Sequence, residues 1–239
     1  MTPERSRCLE SLAERILLVR RPHPVRVAID GPDAAGKTIL ADELAPLLER
    51  TGRVVIRASI DGFHRPRAAR IARGDESPEG YYRDSFDYPA LRASLLDPLG
   101  PNGSCRFRRR VFDFRADVPV EAPLETAPRD AILVFDGVFL LRPELIGSWD
   151  FSVFVAVPFE ETQRRAAARD VAVFGSAEAV LRRYRARYVP GQQLYLEECA
   201  PQQAADAVVA NADPAHPTLE LRGRPGEQPA TTALDRDRH

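Results

Sequence analysis

Gly31-Pro32-Asp33-Ala34-Ala35-Gly36-Lys37-Thr38 is the stretch of sequence that decides the fold, because it matches GxxxxGK[ST] at every fixed position. An apolar, strand-like run over residues 25–30 precedes it, and a helical pattern over 38–50 follows it. In this context the glycines let backbone N–H groups curl around phosphates, and the start of the helix adds the positive end of its dipole. The stretch therefore predicts a phosphate-binding loop between a strand and a helix.

The residues of this loop predict how a nucleotide is bound. The Lys37 ammonium is expected to reach the β- and γ-phosphates of ATP and to act in catalysis, and the Thr38 hydroxyl is expected to bind Mg²⁺. The other predicted nucleotide-binding residues are Gly31, Asp33, Ala34, Ala35 and Gly36. The alternative for Asp33 is an ordinary turn or capping residue. ATP and Mg²⁺ are the predicted cofactors.

Lysine is almost absent from the chain: of 34 basic residues, only Lys37 is a lysine. A planar guanidinium does not replace a compact ammonium without changing the geometry of its contacts, so the position of this one lysine favours a functional role. The same count excludes a regulatory GTPase, because the guanine-binding NKxD motif of that class needs a second lysine.

Composition limits the remaining classes of protein. Hydrophobic residues make up 44% of the 239 residues and charged residues 29%, which is typical of a globular protein with a core. The chain contains no run of 18 or more apolar residues, so no membrane span is predicted. The N-terminal segment carries acidic residues and lacks the apolar centre of a signal peptide, so a cytoplasmic location is predicted. The net charge of −1 gives no field that would attract nucleic acid. Cys8, Cys105 and Cys199 are widely spaced, which argues against a zinc site or a disulfide framework.

Apolar, strand-like runs alternate with helical patterns along the chain. The runs lie at 53–59, 131–135, 151–157 and 207–209, and the helical patterns at 90–99, 159–172, 176–188 and 191–199. This alternation predicts an α/β fold with right-handed crossovers. In full, we predict a three-layer α/β/α P-loop NTPase with a mainly parallel five-stranded sheet, a small β-hairpin insertion near 104–114 and a helical lid.

Three parts of the chain are predicted to differ in organisation. Residues 1–21 form an amphipathic helix, and residues 22–213 form the main domain. Residues 214–239 are rich in Pro, Gly, Arg and Asp without periodicity, so they are predicted to be a disordered tail.

Two acidic residues follow predicted strands. Asp61 lies in the segment SIDGFHR after the second strand, and Asp136 precedes Gly137 at the end of another. Because the carboxyl ends of parallel strands line one crevice, both carboxylates should face the phosphates. Asp61 is then a candidate catalytic base, and Asp136 is a candidate metal residue beside Thr38. The alternative for Asp61 is an ordinary turn aspartate.

Two further groups are ambiguous on their own. The aromatic and acidic segment 80–89 suits either a pocket for a ring-bearing ligand or a loop packed on the core. Arg165 and Arg169 are four residues apart on one predicted helix face, where they can converge on phosphate oxygens or form a solvated basic face.

Taken together, these motifs resemble the uridine kinase family, which is grouped with phosphoribulokinase and bacterial pantothenate kinase. The resemblance runs from about residue 25 to 212. It includes Phe86-Asp87-Tyr88-Pro89, similar to an FDHP motif, and Val111-Phe112-Asp113-Phe114, similar to a hairpin element. Asp136-Gly137 and the lid element Arg169-Asp170 also correspond.

The resemblance implies a kinase that phosphorylates a hydroxyl of a small molecule, first of all a nucleoside such as uridine or cytidine. It implies that Asp61 is the catalytic base, that Asp87 binds ribose hydroxyls and that Arg165 and Arg169 bind the triphosphate, with Arg169 in a catalytic role. The other implied substrate-binding residues are Phe112, Phe114 and Asp117.

The sequence also departs from the family at several positions. Phe112 stands where the family has tyrosine, Asp117 where it has histidine, and Asp136 where it has glutamate; no arginine lies near Phe174 in the lid. The first two differences concern recognition of the base, so the acceptor can differ from uridine.

Several alternatives remain open. The acceptor can be another hydroxyl metabolite, such as a pantothenate-like or sugar-phosphate-like compound, or the chain can be a nucleotide-binding scaffold without catalysis. The basic, aromatic segment 106–110 could bind nucleic acid, although the short run and the net charge make this a weak signal. A homo-oligomer is compatible with the sequence.

Overall fold

The computed structural model describes residues 1–222. Its strands are β1 (Val25–Asp30), β2 (Val55–Ser59), β3 (Arg106–Phe107), β4 (Phe112–Asp113), β5 (Val118–Pro119), β6 (Glu125–Thr126), β7 (Ile132–Asp136), β8 (Phe151–Ala156), β9 (Ala207–Ala210) and β10 (Thr218–Leu221). Its α-helices are α1 (Pro3–Leu18), α2 (Lys37–Glu49), α3 (Arg67–Arg70), α4 (Pro78–Asp84), α5 (Tyr88–Leu91), α6 (Pro143–Ile146), α7 (Phe159–Arg169), α8 (Val171–Phe174), α9 (Ala177–Arg183), α10 (Val189–Cys199) and α11 (Pro201–Ala204). A 3₁₀ turn covers Ile60–Phe63, and π-helical turns cover Arg92–Leu96 and Tyr184–Tyr188.

The central sheet has the strand order β10-β9-β8-β1-β7-β2. Strands β9, β8, β1, β7 and β2 are parallel, which confirms the predicted mainly parallel α/β fold. The register places Asp136 beside Ile29 of β1 and beside Ser59 of β2. The ends of β1, β2 and β7 therefore meet at one edge, where the phosphate-binding loop begins.

The sheet has a sixth strand that the sequence did not predict. Thr218–Leu221 pairs antiparallel with Ala207–Ala210 along the outer edge of β9, and Leu219 packs against the core. The prediction of a disordered tail is therefore wrong for residues 218–221. Their pairing satisfies the backbone hydrogen-bonding groups that the edge of β9 would otherwise expose. The remainder of the predicted tail lies outside the described residues.

Alternate side chains of each central strand enter opposite layers. Val27 and Ile29 pack with helices α1 and α2, whereas Ala28 faces the other layer together with Phe135 of β7. Helix α1, predicted over 1–21, buries Cys8, Leu9, Leu12, Ala13 and Ile16 in the first of these layers. Helix α2 continues through Pro46 without a break. Helices thus cover both faces of the sheet, as a three-layer fold requires.

The second layer contains the segment that was predicted to be a loop, either lining a pocket or packed on the core. Residues 78–84 instead form helix α4, which begins with the side chain of Ser77 accepting a hydrogen bond from the N–H of Gly80. Tyr82 packs into the core, and only Tyr81 of the adjacent pair lines a cavity. Both of the alternatives considered for this segment therefore apply, each to a different tyrosine.

The predicted hairpin insertion consists of two short ladders, in which β3 pairs with β6 and β4 pairs with β5. Phe107 of the basic segment is buried, and Arg109 donates to Glu125 at 2.7 Å. A basic surface with exposed aromatic groups is therefore not formed there. None of the helices in residues 1–222 is both long and apolar enough to cross a membrane.

Candidate active site

The loop between β1 and α2 needs glycine at two positions. Gly31 has φ +147°, and a Cβ there would lie 2.5 Å from the carbonyl oxygen of Val155. Gly36, the residue before α2, has φ +92°, a conformation that side chains disfavour. Ala34 adopts φ +58° between them. The backbone therefore curls into a concave loop that ends at the N-terminus of a 13-residue helix, the arrangement that binds phosphate.

Lys37 is buried at the start of α2, and its Nζ donates to the carbonyl oxygen of Pro32 at 2.6 Å. Burial lowers the pKa of this ammonium. Four carboxylates oppose that effect, those of Asp33, Asp30, Asp136 and Asp61. The ammonium thus lies inside the loop and is surrounded by acidic groups, so it is the cation placed to meet a phosphate.

Thr38 and Asp136 form the predicted metal pair. The Thr38 hydroxyl donates to Oδ2 of Asp136 at 2.7 Å, and Arg57 donates to Oδ1 of the same carboxylate at 2.8 Å. One hydroxyl and one carboxylate suit Mg²⁺, which takes few protein oxygens and keeps water and phosphate oxygens as its other ligands. Within residues 1–222 no cluster of three or more His, Cys, Asp or Glu side chains could hold a metal unaided. Mg²⁺ would therefore be held jointly with the nucleotide.

Asp61 lies in the 3₁₀ turn that follows β2. Its enclosure in the cleft raises the pKa of its carboxyl, and the neighbouring carboxylates of Asp33 and Asp136 raise it further. The positive charges of Lys37 and Arg169 oppose this rise. A carboxylate with a raised pKa beside the phosphate loop has the chemistry of a general base. The structure thus places Asp61 together with the predicted nucleotide-binding cations.

Asp33 and Asp30 are held by helix α10 and its neighbours. The N–H of Asp33 donates to Gln192 at 2.8 Å, and the Tyr81 hydroxyl donates to the Asp33 carboxylate at 2.5 Å. Asp30 is fully buried, and it accepts a hydrogen bond from the Tyr195 hydroxyl. Burial raises the pKa of Asp30 to about 6. These contacts hold the loop against helices α10 and α4.

A cavity of about 950 Å³ extends from the phosphate loop. Its wall includes Ala34, Gly36, Lys37, Thr38, Arg165 and Arg169, together with residues from α1 and from the segment after β9. We call it the nucleotide cavity, because it begins at the N-terminus of α2 and its size suits a cofactor.

The two lid arginines have different surroundings. Arg165 donates to the carbonyl oxygens of Asn211 at 2.7 Å and of Ala212 at 2.9 Å, so it ties α7 to the segment after β9. Arg169 is bound to the adjacent Asp170, and its side chain is 59% exposed. Arg165 therefore serves as a fixed wall of the nucleotide cavity, whereas Arg169 lines the same cavity with a largely exposed side chain that is held by Asp170 and Tyr184.

Arg169→Ala is expected to slow phosphoryl transfer by about 10- to 100-fold, the effect of losing a hydrogen bond to a charged group. Affinity for ATP should change less, because the loop and Lys37 remain. The matched control is Arg164→Ala on the same helix, whose side chain is 73% exposed and bound to Glu161. Steady-state ADP release measures the rate of both variants. Equal rates in the two variants would show that Arg169 is an ordinary solvated surface residue.

A second cavity, of about 500 Å³, is lined by residues that neighbour Asp61 and the loop. His64 lines it, and its Nδ1 lies 3.1 Å from the carbonyl oxygen of Asp61. The His64 ring stacks on Phe114, with ring centroids 4.9 Å apart. Tyr81, which holds Asp33, also lines this space. We call it the acceptor cavity, because His64 and Tyr81 of its wall contact the candidate base Asp61 and the loop residue Asp33.

The predicted acceptor-binding residues fall in different places. Phe114 lines the acceptor cavity, whereas Phe112 is buried in the core. Asp87 caps helix α5, because its side chain accepts from the N–H of Ala90 at 2.9 Å. Asp117 accepts from the N–H of Arg67 and from the guanidinium of Arg70, outside the cavity wall. Asp117 therefore holds the hairpin against α3.

Sequence reasoning missed several residues that shape the loop. Arg5 of α1 and Asn211 line the nucleotide cavity, and the Asn211 amide donates to the carbonyl oxygen of Ala35 at 2.7 Å. Gln192 and Tyr195 hold the loop from α10. Asn211 directly follows the last parallel strand, so the strand-end argument applied to Asp61 would have found it. Arg5 has no comparable signal.

No protein-family model matches the chain. Uridine-cytidine kinase B of Dictyostelium discoideum is 26% identical over 164 residues, which are 68% of this chain and 65% of that protein. The match therefore spans less than two thirds of the length of this relative.

Two solved structures are similar over most of the chain. A possible uridine kinase from Bacillus stearothermophilus has a TM-score of 0.68 and 23% identity, and the match covers 85% of this chain and 97% of that one. A candidate fructose transport system kinase from Silicibacter sp. TM1040 has a TM-score of 0.67 and 23% identity, with 79% and 94% covered. The fold is thus that of P-loop kinases. Together with the sequence match, it supports the resemblance to the uridine kinase-like group.

Proposed function

We propose that this protein is an ATP-dependent kinase that phosphorylates a hydroxyl of a small molecule. The observation that carries the proposal is the position of Asp61. Its carboxyl interacts with Lys37 and Arg169 of the nucleotide cavity, and its backbone carbonyl lies against His64 of the acceptor cavity. A base that interacts with residues of both cavities suits transfer from one ligand to the other.

The residues have distinct roles in this proposal. The loop and Lys37 bind and orient the phosphates of ATP, and Thr38 and Asp136 hold the metal. Bound MgATP supplies the transferable γ-phosphoryl group, with its charge neutralised in part by the metal. Asp61 accepts the proton of the acceptor hydroxyl, and Arg169 turns inward to exclude water and to stabilise negative charge.

A nucleoside is the first candidate acceptor, since a curated relative, 26% identical over 164 residues, is named for uridine and cytidine. Aromatic side chains on the acceptor cavity, among them His64, Phe114 and Tyr188, would suit a planar ring. Asp87 could bind ribose hydroxyls through the carboxylate oxygen that does not cap α5. Another hydroxyl metabolite is the second candidate, because a protein of the same fold is described as a fructose transport system kinase.

The test is ADP release from MgATP in the presence of single acceptors: uridine, cytidine, their 2′-deoxy forms, pantothenate and sugar phosphates. Acceptor-dependent turnover that requires Mg²⁺ supports the kinase proposal. Equal turnover of the 2′-deoxy forms would show that Asp87 does not bind the ribose hydroxyls. Tight binding of ATP without turnover on any acceptor would instead show a nucleotide-binding scaffold. Salt-sensitive binding of an oligonucleotide in place of turnover would indicate a nucleic-acid-binding protein.

A further inference from the structure

The wall of the acceptor cavity is rich in arginine. Five arginines lie on its wall against two acidic residues, Asp75 and Glu76. Two further carboxylates outside the wall, those of Asp117 and Glu178, pair with two of the five arginines. The arginines are Arg67, Arg70, Arg182, Arg183 and Arg187. His64 adds no charge near neutral pH, because burial lowers its pKa to about 4. This concentration of charge is not a property of the whole chain, whose net charge is −1.

Three of these arginines have structural partners. Arg187 donates to the carbonyl oxygens of Asp75 and Arg70, and Arg183 forms two hydrogen bonds of 3.0 Å with the carboxylate of Asp75. Arg70 donates to Asp117. These contacts join α3 to the helical stretch that begins with α9. Arg183 binds both oxygens of the Asp75 carboxylate, which leaves Arg67 a longer and weaker contact with it.

Arg67 and Arg182 are the arginines that remain available. The Arg67 side chain is 60% exposed and reaches Asp75 only at 3.8 Å. The Arg182 side chain is 68% exposed, and its partner is Glu178 on the same helix at 3.2 Å. They approach the cavity from two different elements, so a ligand between them can be bound by both. Guanidinium forks match the geometry of phosphate and carboxylate groups.

We infer that the acceptor carries a phosphate or carboxylate group in addition to the hydroxyl that is phosphorylated, and that Arg67 and Arg182 bind this anion. The inference rests on the proposed kinase function and narrows its acceptor. A neutral nucleoside offers no anion to the exposed guanidinium groups of Arg67 and Arg182, whereas an anionic acceptor provides a partner for both. A volume of about 500 Å³ is suited to a compact metabolite.

The reaction places the anion and the reacting hydroxyl at different ends of the acceptor. The hydroxyl oxygen forms a bond to the γ-phosphorus of ATP, the bond from that phosphorus to the bridging oxygen breaks, and ADP leaves with the electron pair. The hydroxyl proton passes to Asp61. The anionic group takes no part in bond formation, and it orients the acceptor from the arginine side.

The experiment compares acceptors that differ in charge. Initial rates with MgATP are measured for D-ribose against D-ribose 5-phosphate, for glycerol against D-glycerate, and for uridine. We expect kcat/KM to be at least ~10-fold higher for one or both anionic compounds, since a charge-assisted hydrogen bond has an effect of that order. The first pair tests phosphate, and the second tests carboxylate.

The variants Arg67→Gln and Arg182→Gln then locate the anion. Each should raise KM for the preferred anionic acceptor by roughly 10-fold and leave KM for ATP unchanged. The matched control is Arg185→Gln, an exposed arginine of the same helical stretch that is absent from the cavity wall. A rise in KM for ATP instead would assign these arginines to the triphosphate and overturn the inference.

A binding measurement separates this inference from the kinase proposal. A ligand that binds the folded state raises Tm without any need for turnover. D-Ribose 5-phosphate should raise Tm more than D-ribose does, and the two glutamine variants should abolish the difference. Equal shifts, or a preference for uridine in turnover, would overturn the anionic acceptor. A phosphate-specific shift without transfer to any acceptor would overturn the kinase and support the anion site.

Discussion

Replacing Lys37 by alanine is expected to lower phosphoryl transfer by at least ~10²–10³-fold, the effect of removing one preorganised charge-stabilising group. The ammonium is buried inside the loop, so water cannot supply an equivalent contact to the phosphates. The fold should survive, because the only hydrogen bond of Nζ is the one to the carbonyl oxygen of Pro32 among the described residues. ADP release measures the rate, and Tm and far-UV circular dichroism measure the fold.

Lys37→Arg should fail nearly as completely, although it conserves the charge. The guanidinium is larger and planar, and the loop encloses a compact group. Arg164→Lys is the matched control, because it makes the reverse exchange at an exposed position on α7. Turnover close to wild type in either Lys37 variant would contradict the assignment of the loop.

Asp61→Asn is expected to lower turnover by about 10²–10⁴-fold with little change in ATP affinity, the usual result of losing a general base. The pH profile provides a second test. The base must be ionised, so the wild-type rate should fall as pH drops through the pKa of Asp61, which desolvation in the cleft and then the neighbouring carboxylates raise. This acidic limb should begin at a higher pH than an ordinary aspartate would give, and the variant should lack it.

Asp113→Asn is the control for this experiment. The Asp113 carboxylate accepts from the N–H groups of Arg115 and Ala116 in the exposed hairpin turn, away from the loop. Its loss should leave turnover nearly unchanged. Weakened binding of MgATP with turnover spared in Asp61→Asn would make Asp61 a metal residue and leave Asp136 as the better candidate for the base.

The sequence was sufficient to predict the sheet and the loop. Apolar runs such as those of β1 and β7 are buried on both faces, so their composition alone marks them as central strands. Helix α4 was missed although Ser77 and Pro78 are start signals, because Gly80 and two tyrosines are weak helix formers. Strand β10 was missed because it is ordered by its pairing with β9, and the composition of its own segment does not indicate a strand.

The site was predictable only where residues lie near the loop or at strand ends. Lys37, Thr38, Asp61 and Asp136 satisfy that condition, and the structure brings them together. The contact between Gln192 and the loop joins residues 159 positions apart, and no local pattern announces it. The implied positions of Phe112 and Asp117 depended on side-chain direction, which the hairpin geometry decides and a motif does not.

The helical stretch from 177 to 199 is continuous through its π-helical turn. Arg183 near its start faces the acceptor cavity, while Gln192 and Tyr195 further along hold the amide of Asp33 and the aspartate that precedes the loop. One continuous helical stretch thus contacts both the acceptor cavity and the phosphate-binding loop. A ligand in the acceptor cavity that tilts the first half of this stretch would also move the phosphate-binding loop. We therefore expect the affinities for the acceptor and for ATP to be linked reciprocally. Binding of one substrate should then change the affinity for the other before any phosphoryl group is transferred.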